Sequence, residues 1–276
     1  MNELNFANRL TQEQKHLSKT ESTLGDYIVA HMEQISQLTI QQLAANAKVS
    51  NATVTRFCKK LNYASFAELK SYLSRETKKD EHKEEGVVEV VGTFYDTMVA
   101  SSKMLIDATQ LAALIAAIKA ANKITLCGIG SSGLTANEFK YQLMRMGLTV
   151  DCVTDPHMML MGAKLLGPDD LLICLSNSGE TQALIKACHI AKENQVNICT
   201  LTNFKDSTLT KIADICIYTS SVKSMHDGRF INTQLTMFFV LDCIFYELLG
   251  DPVMYDKRSK TLQLILNEES QLKNNH

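Results

Sequence analysis

Apolar residues recur at helical spacing in the first third of the chain, and short apolar runs alternate with helical patterns in the rest. In residues 50–61, Val54, Phe57, Cys58 and Leu61 fall at i, i+3, i+4 and i+7, which is one face of a helix. Further helices are predicted at residues 17–32, at 39–47 and from residue 65 onward. The first region is therefore expected to be an all-α domain.

The second region alternates strand and helix patterns. Strands are predicted at residues 123–127, 149–153, 171–175, 197–201 and 215–218. Helices are predicted at residues 87–106, 110–121, 134–146, 157–165, 181–193 and 230–249. Strands separated by helices are typical of an α/β fold, here a doubly wound, five-stranded parallel sheet with right-handed crossovers.

A polar stretch at residues 77–86 separates the two regions and reads as a linker or an exposed helix extension. The predicted organisation is an N-terminal helical domain at 1–77, a linker at 78–90 and an α/β domain at 91–276. A chain of 276 residues is long enough for two such domains.

The small net charge of −2 conceals a difference between the two regions. Residues 1–79 contain 11 Lys and Arg against 7 Asp and Glu, whereas residues 80–276 contain 17 against 23. Residues 48–60 hold four basic side chains and no acidic one. A basic segment on an acidic chain indicates a polyanionic partner, although a solvated helix face explains the charge equally well.

The eight cysteines mostly fall within apolar runs, and none is spaced C-x-x-C with another. We expect them to pack as small hydrophobic side chains, so neither a disulfide framework nor a metal site is predicted. No cofactor is expected. The N-terminal residues do not resemble a secretory signal, and no apolar run is long enough to span a membrane. We therefore expect a cytoplasmic protein.

Two short helices joined by a tight turn, the second of them basic, are typical of a DNA-reading unit. The face opposite the apolar stripe carries Asn51, Ala52, Thr55, Arg56 and Lys59. Asn51 and Arg56 have side chains that read base edges, while Lys59 and Lys60 lie one turn further on, where phosphates are expected. A plain helical bundle with a basic surface fits the same pattern.

The sequence of residues 40–61, IQQLAANAKVSNATVTRFCKKL, resembles the N-terminal domain of the RpiR family of bacterial transcriptional regulators, and residues 62–70 continue the resemblance. It implies a double-stranded DNA operator as partner. The residues we predict to bind DNA are Ser50, Asn51, Thr53, Thr55, Arg56, Lys59 and Lys60. Lys48 and Asn62 replace the turn glycines usual in the family, which predicts mild backbone strain at Lys48 or a different type of turn.

The segment Gly128-Ile129-Gly130-Ser131-Ser132-Gly133 follows a predicted strand and opens a helix. It has the G-x-G-x-x-G form of a dinucleotide-binding loop, and Asp155 stands after the next strand, where a ribose-binding acid is expected. Taken alone, this loop fits a nicotinamide enzyme.

A second loop, residues 176–181 with the sequence SNSGET, argues against that reading. It places three hydroxyls and an amide at another helix N-terminus, and helix N-termini attract anions. Two helix N-termini lined with hydroxyls can surround one phosphate monoester. A pyrophosphate-binding loop needs small residues for close backbone approach and does not require a second cluster of hydroxyls. Each loop alone could equally be a helix with an ordinary Ser or Thr cap.

The pair of loops resembles the SIS domain, the sugar isomerase fold that binds phosphosugars, over residues 122–249. The resemblance implies a phosphorylated sugar or amino sugar as ligand. The ligand contacts it implies are Ser131, Ser132, Ser176, Asn177, Ser178 and Thr181, with Asn177 where many relatives have Gln. It also places Arg229 and Gln234 at polar positions close to the ligand.

The SIS fold hosts both sensors and aldose–ketose isomerases, so the fold alone does not separate these functions. Candidate acids and bases are Glu138, Glu180, His157, His226 and Asp227, but no acid–base pair stands out and no catalytic residue is predicted. Glu138 lies near the site or in solvent, depending on whether its helix buries Leu134, Tyr141 and Leu143.

The combined resemblance implies a sugar-phosphate-responsive regulator of a carbohydrate catabolic operon, expected to be a repressor. A homodimer or homotetramer is expected to read a palindromic operator. The alternative is an isomerase with an appended helical domain.

Overall fold

The fold is described from a computed structural model covering residues 6–78, 86–221 and 234–274, without the side chains of Lys15 and of residues 75–78 and 268–274. Of the described residues, those up to Met104 together with Ser220 and Ser221 form one compact unit, and the others form a second unit. The domain boundaries at 77 and 90 remain a prediction.

The first unit is helical, as predicted. Its helices are α1 (Phe6–Glu13), a 3-10 turn (Gln14–His16), α2 (Lys19–Ala30), α3 (Met32–Ile35), α4 (Ile40–Asn46), α5 (Asn51–Lys60), α6 (Phe66–Lys78) and most of α7 (Val87–Leu105). Fully buried side chains from α1 to α6, among them Phe6, Ile28, Phe57 and Leu69, form one hydrophobic core. Burial of these apolar faces stabilises helices that are too short to persist alone.

Two details of this unit differ from the prediction. Helix α1 was not predicted, because its apolar side chains are few and only the tertiary core buries Phe6. The helix predicted at 17–32 is α2, which ends at Ala30 because the backbone leaves the helical region at His31 (φ −130°, ψ 27°), and the short α3 that follows was not predicted. Side chains from both, including Ile28 and Ile35, still face the same core.

The second unit contains the predicted parallel sheet. Its strands are β1 (Ile124–Gly128), β2 (Val150–Val153), β3 (Leu171–Leu175), β4 (Asn197–Thr202) and β5 (Ile215–Tyr218), in the order β2-β1-β3-β4-β5. The helices are α8 (Ala108–Ala120), α9 (Ser131–Arg145), α10 (Pro156–Leu165), α11 (Gln182–Glu193), α12 (Thr208–Ile212), α13 (Leu235–Leu248) and α14 (Pro252–Asn274). The five strands fall where the sequence predicts them, whereas α12 and α14 were not predicted.

Helices cover both faces of this sheet. In β3, Ile173 and Leu175 face a core shared with α8, α9 and α13, while Leu172 and Cys174 face one shared with α10, α11 and α12. Strands buried on both sides explain the near-continuous apolar runs seen in the sequence. All eight cysteines are free thiols, and five of them are buried, as expected for small hydrophobic side chains.

Within the described residues, no single helix is long and apolar enough to cross a membrane. The pair α7 and α8 passes that test jointly, by length and composition only, with a bend of 84° between them.

Candidate functional site

The helix pair α4–α5 has well-defined ends. Thr39 and Gln42 form a capping box at the start of α4, and the Ser50 hydroxyl accepts a hydrogen bond from the Thr53 amide at the start of α5. Between the helices, Lys48 has a φ of 54°. The Val49 amide donates to the Ala44 carbonyl at 2.8 Å, which closes a Schellman turn.

Asn62 occupies the same position after α5, with a φ of 61°. The structure therefore decides the question left open at Lys48: the turn is the usual left-handed one, and a β-carbon-bearing side chain is held in it. Asn tolerates this conformation better than Lys does, so Lys48 carries the larger strain.

The predicted faces of α5 are confirmed. Val54, Phe57 and Cys58, together with Leu61 just beyond the helix, are fully buried. The predicted reading face is exposed and comprises Asn51, Ala52, Thr55, Arg56 and Lys59. The first and last of these lie about two turns apart, which suits a helix that presents side chains to successive base pairs.

Ser50 and Thr53, two of the predicted DNA-binding residues, take part in the start of α5. Their hydroxyls lie 2.9 Å apart, and Thr53 is largely buried against the core. Thr55 donates its hydroxyl proton to the Asn51 carbonyl at 3.0 Å. These bonds position the helix, and a DNA-contacting role for Ser50 and Thr53 remains a prediction.

The Lys60 ammonium group is already bound within the protein, whereas the predicted phosphate contact requires an ammonium group that is available to DNA. Its ammonium donates to Glu21 Oε2 and to the His16 carbonyl, both at 2.8 Å. Burial raises the pKa of Glu21, but hydrogen bonds from Lys60 and from Ser18 outweigh it, so the pKa lies below its ordinary value of 4.5. The geometry thus favours a structural role for Lys60, although both Lys59 and Lys60 are exposed, and a DNA contact of either lysine remains a prediction.

The two hydroxyl-lined loops emerge from neighbouring strands. Gly128, at the end of β1, is in register with Leu175, at the end of β3, so the loops that follow leave the same edge of the sheet about 5 Å apart. The chain proceeds from β1 toward β2 on one side and from β3 toward β4 on the other. This switch point is where open α/β sheets bind ligands.

Glycines shape the first loop. A β-carbon on Gly128 would lie 2.6 Å from the Ser132 carbonyl oxygen, and one on Gly133 would lie 2.9 Å from the Gly128 carbonyl oxygen, so α9 starts in close contact with β1. Gly130 has φ 60° and ψ −131°, a conformation open to glycine. Ser131 is exposed and Ser132 is largely buried in the first turn of α9.

Helices α9 and α11 lack a side-chain cap at the N-terminus, as α3 and α13 also do among the described helices. In the described structure, neither has a side-chain cap at its N-terminus, whereas α2, α4, α5, α8, α10 and α12 do. The first amides of α9 and α11 are thus left for another acceptor. The ordinary capped helix, the alternative explanation of each Ser-rich loop, does not describe these two termini.

The second loop is held by its own side chains. The Ser176 hydroxyl lies 3.0 Å from that of Thr181 and accepts from the Gly179 amide at 3.1 Å. The Ser178 hydroxyl is exposed and accepts from the Glu180 amide at 3.2 Å. Gly179 has a φ of 64°, and a β-carbon there would collide with Ser207.

Glu180 supports the loop from behind. Its carboxylate accepts hydrogen bonds from the Thr208 amide at 3.0 Å and the Thr208 hydroxyl at 2.6 Å, at the start of α12. The sequence motif identified Glu180, but its partner lies 28 residues away on a helix that was not predicted.

Asn177 has a buried side-chain oxygen without a hydrogen-bond partner among the described residues. Its main-chain carbonyl accepts from the Asn203 amide at 3.1 Å. The backbone is thereby fixed, and a buried acceptor at this edge of the sheet is left for a ligand donor.

Gln234, which the family resemblance places at a polar position near the ligand, contacts Thr135, one turn after the start of α9. Thr135 donates its hydroxyl proton to Gln234 Oε1 at 2.9 Å, and both side chains are buried. Thr135 itself was not predicted; its only sequence signal is its spacing of one turn from Ser131. Arg229, His226 and Asp227 lie outside the described residues.

Asp155, His157 and Glu138 are among the described residues that the sequence offered as candidates for chemistry. Asp155 accepts from the His157 and Met158 amides and caps α10, which gives it a structural role in place of ribose binding. His157 is exposed. Glu138 accepts from Gln142 on the same helix.

Comparison with known proteins agrees with both halves of the architecture. The family model described as a helix-turn-helix domain of the rpiR family matches residues 4–80, and the SIS domain model matches residues 117–247. The chain is 30% identical to an uncharacterized HTH-type transcriptional regulator of Haemophilus influenzae, over 96% of this chain and 97% of that protein. A similarly named regulator of Clostridium perfringens is 30% identical over 91% and 95%.

Solved structures show the same fold. The Vibrio vulnificus NanR protein, solved in complex with ManNAc-6P, superposes with a TM-score of 0.60 at 23% identity, over 95% of this chain and 98% of that one. The sugar isomerase domain of an RpiR transcription factor from Sphaerobacter thermophilus gives 0.59 at 17% identity, over 66% and 99%. The chain thus belongs to the rpiR family of helix-turn-helix transcriptional regulators and carries a SIS domain.

Proposed function

We propose that this regulator is a cytoplasmic repressor that binds an operator of a carbohydrate catabolic operon and responds to a phosphorylated sugar or amino sugar. One observation carries the effector part of the proposal: two uncapped helix N-termini, lined with hydroxyls, at the crevice between β1 and β3. Free amides and aligned helix dipoles bind a phosphate dianion, and Ser131 and Ser178 add exposed hydroxyl donors.

The sugar moiety is expected to extend from the phosphate toward Asn177. Because a phosphate dianion is only an acceptor, the buried Asn177 oxygen suits a donor such as a sugar hydroxyl or an amide N–H. The ManNAc-6P bound to NanR, a protein of the same fold, carries both kinds of donor and supports the amino-sugar class.

The exposed face of α5 supports the DNA part. Asn51 and Arg56 are suited to base edges and Lys59 to a phosphate, and two copies of the helix would read half-sites one helical turn apart or a multiple of it. A homodimer or homotetramer is therefore part of the proposal.

Ser220 is held by hydrogen bonds within the first unit. Ser220 is the second residue after β5. Its hydroxyl donates a hydrogen bond to Asn8 Oδ1 of α1 at 3.0 Å. Its amide donates to the Ser102 hydroxyl of α7 at 3.3 Å. Both bonds lie within the first unit and hold Ser220 against α1 and α7. We propose that effector binding changes DNA affinity by linkage.

The effector site is tested by the thermal shift of the full chain with ManNAc-6P, glucose 6-phosphate and inorganic phosphate. We expect a sugar phosphate to raise the melting temperature more than inorganic phosphate does. Ser178→Ala should reduce that shift, while Ser259→Ala, on α14, should not. Equal responses of both variants would place the site elsewhere, and rapid interconversion of aldose and ketose phosphates would favour the isomerase.

The DNA site is tested by selecting genomic fragments with the purified protein. Arg56→Ala should relax sequence preference at one operator position. Lys59→Ala should weaken binding uniformly and reduce the salt slope by about 1, whereas Lys60→Ala should lower stability and leave the slope unchanged. A reduced slope for Lys60→Ala alone would show that the Glu21 pair opens on DNA.

A further inference from the structure

The predicted reading face of α5 carries two kinds of side chain. Asn51, Arg56 and Lys59 end in amide or charged groups, whereas Ala52 has only a methyl group. With about 100° between successive residues, Ala52 and Thr55 fall between Asn51 and Arg56 around the helix axis. They are three residues apart in the chain, so their side chains are neighbours on the helix surface. The group that Thr55 presents therefore decides the chemistry at the middle of this face.

The Thr55 hydroxyl is already engaged within the helix. It donates to the Asn51 carbonyl oxygen, one turn earlier, at 3.0 Å. A hydroxyl group has one proton to donate, and this bond turns it back toward the preceding turn of the backbone. The Thr55 side chain is nonetheless exposed. Its γ-methyl group is therefore the part that is left to face a partner.

The surroundings of Thr55 keep this methyl group accessible. Thr55 lines an open groove of about 720 Å³ within the first unit, together with Ile40 of α4 and Phe66 of α6. The side chains that line the groove are apolar, hydroxyl-bearing or, at Lys70, basic. Such a lining accommodates DNA, which carboxylates would repel.

Thymine has the chemistry that complements this part of the reading face. In the major groove it is the one base of the four that presents a methyl group, on C5, and the methyl groups of Ala and Thr are usual partners for it. A hydroxyl that still offered its proton would instead suit an acceptor such as guanine O6 or thymine O4. The bond to Asn51 removes that option for Thr55.

We propose that Ala52 and Thr55 read the 5-methyl group of a thymine in each operator half-site, and that Thr55 does so through its methyl group and not through its hydroxyl. Thr55 is thus a specificity-determining residue of the DNA site. The contact rests on the proposed function, because it requires α5 to lie in the major groove of an operator. Burial of one methyl group changes affinity by about 4-fold, so thymine should be preferred by about that factor over uracil, which lacks the methyl group.

The test removes the methyl group from either side of the contact. The probe is the duplex that the full chain enriches from genomic fragments, with each thymine of one half-site replaced in turn by deoxyuridine. Fluorescence anisotropy should show one position at which uracil weakens binding by about 4-fold. In Thr55→Ser, which lacks the methyl group, uracil at that position should weaken binding by less than about 2-fold. In Thr55→Val, which keeps a methyl group, the preference for thymine should persist.

Thr23 on α2 provides a matched control. Its side chain is exposed and its hydroxyl donates to the Lys19 carbonyl at 3.0 Å, so its local geometry is that of Thr55. Leu24 and Ile28 of α2 pack in the same core as the buried side of α5. Thr23 thus lies away from the predicted reading face, and Thr23→Ser should leave both the affinity and the preference for thymine unchanged.

Four results would overturn the contact, and they are distinguishable. Uracil tolerated at every thymine would refute the methyl reading while leaving operator binding established. An equal effect of uracil in the wild type and in Thr55→Ser would assign the preference to DNA shape. A preference lost in Thr55→Val but kept in Thr55→Ser would show that the hydroxyl oxygen reads the base. If the full chain enriches no duplex, the proposed DNA function itself fails, which none of the other results implies.

Discussion

Substituting Gly179 by Ala tests whether the geometry of the second loop makes the effector site. Gly179 has a φ of 64°, and its added β-carbon would collide with Ser207 and lie 3.0 Å from Thr202 Oγ1. Ser207 cannot move away freely, because its hydroxyl caps α12 by accepting from the Thr210 amide at 3.3 Å. The Gly179 carbonyl also accepts from the Leu209 amide at 3.1 Å, which ties the loop to the same helix.

The expected magnitude combines two terms. A left-handed conformation costs a residue with a β-carbon about 1–2 kcal/mol, and overpacking a tight site costs about 1–3 kcal/mol. The free energy of unfolding should therefore fall by about 2–5 kcal/mol, which corresponds to a melting temperature about 5–15 °C lower for a unit of this size. If the loop moves to relieve the strain, the loss of stability is smaller, but the Ser176 and Ser178 hydroxyls leave their positions.

The assay is the thermal melt of Gly179→Ala with and without glucose 6-phosphate. We expect a lower melting temperature and no stabilisation by the ligand. Gly162→Ala is the control, because its β-carbon meets no atom within 4 Å inside α10, so Ala should stabilise the helix by about 0.5–1 kcal/mol. A Gly179→Ala variant that melts like the wild type and keeps its ligand response would refute this account of the loop.

Three further predictions concern single positions. Lys48→Gly should stabilise the helical unit by about 1 kcal/mol, since relief of a left-handed strain of about 1–2 kcal/mol exceeds the added chain entropy of Gly; Lys48→Ala should show no such gain in the same melt. Because the pKa of Glu21 is lowered in the folded state, its stabilising effect should be present above pH 4.5 and vanish as the pH falls through the folded pKa. Glu21→Gln should therefore make the free energy of unfolding depend less on pH in the acid range. If that pH dependence is unchanged, the ion pair with Lys60 does not stabilise the folded state. Glu180→Ala should cost about 1–2 kcal/mol in denaturant unfolding by removing two hydrogen bonds to Thr208, and unaltered stability would argue against its positioning role.

The local sequence pattern was sufficient to predict which side of α5 is buried and which is exposed. The spacing of Val54, Phe57 and Cys58 identifies the buried side of α5, and one buried side leaves Asn51 and Arg56 outside. Lys60 is different, because its role depends on a carboxylate 39 residues earlier in the chain. No local pattern distinguishes it from Lys59, which has the same chemistry and a neighbouring position.

The two candidate ligand loops also combine features that the sequence predicts with contacts that only the structure reveals. Hydroxyls at two strand ends are visible in the sequence, and the alternation of strands and helices predicts that both loops leave the same edge of the sheet. The hydrogen bonds that hold these loops in place cannot be predicted from the sequence. Glu180 is held by Thr208, and Thr135 by Gln234, which lies 99 residues away.

The amino-acid sequence alone therefore determined the five strands and most of the helices, the parallel sheet, and the residue types on the exposed face of α5 and in the two loops, because hydrophobic periodicity and loop chemistry act over a few residues. The tertiary structure decided which polar groups are already engaged and which are left for a ligand. It also showed that Leu134 and Tyr141 are exposed while Leu143 is buried, because the side of α9 that meets the sheet is set by contacts with distant strands and not by its own apolar content.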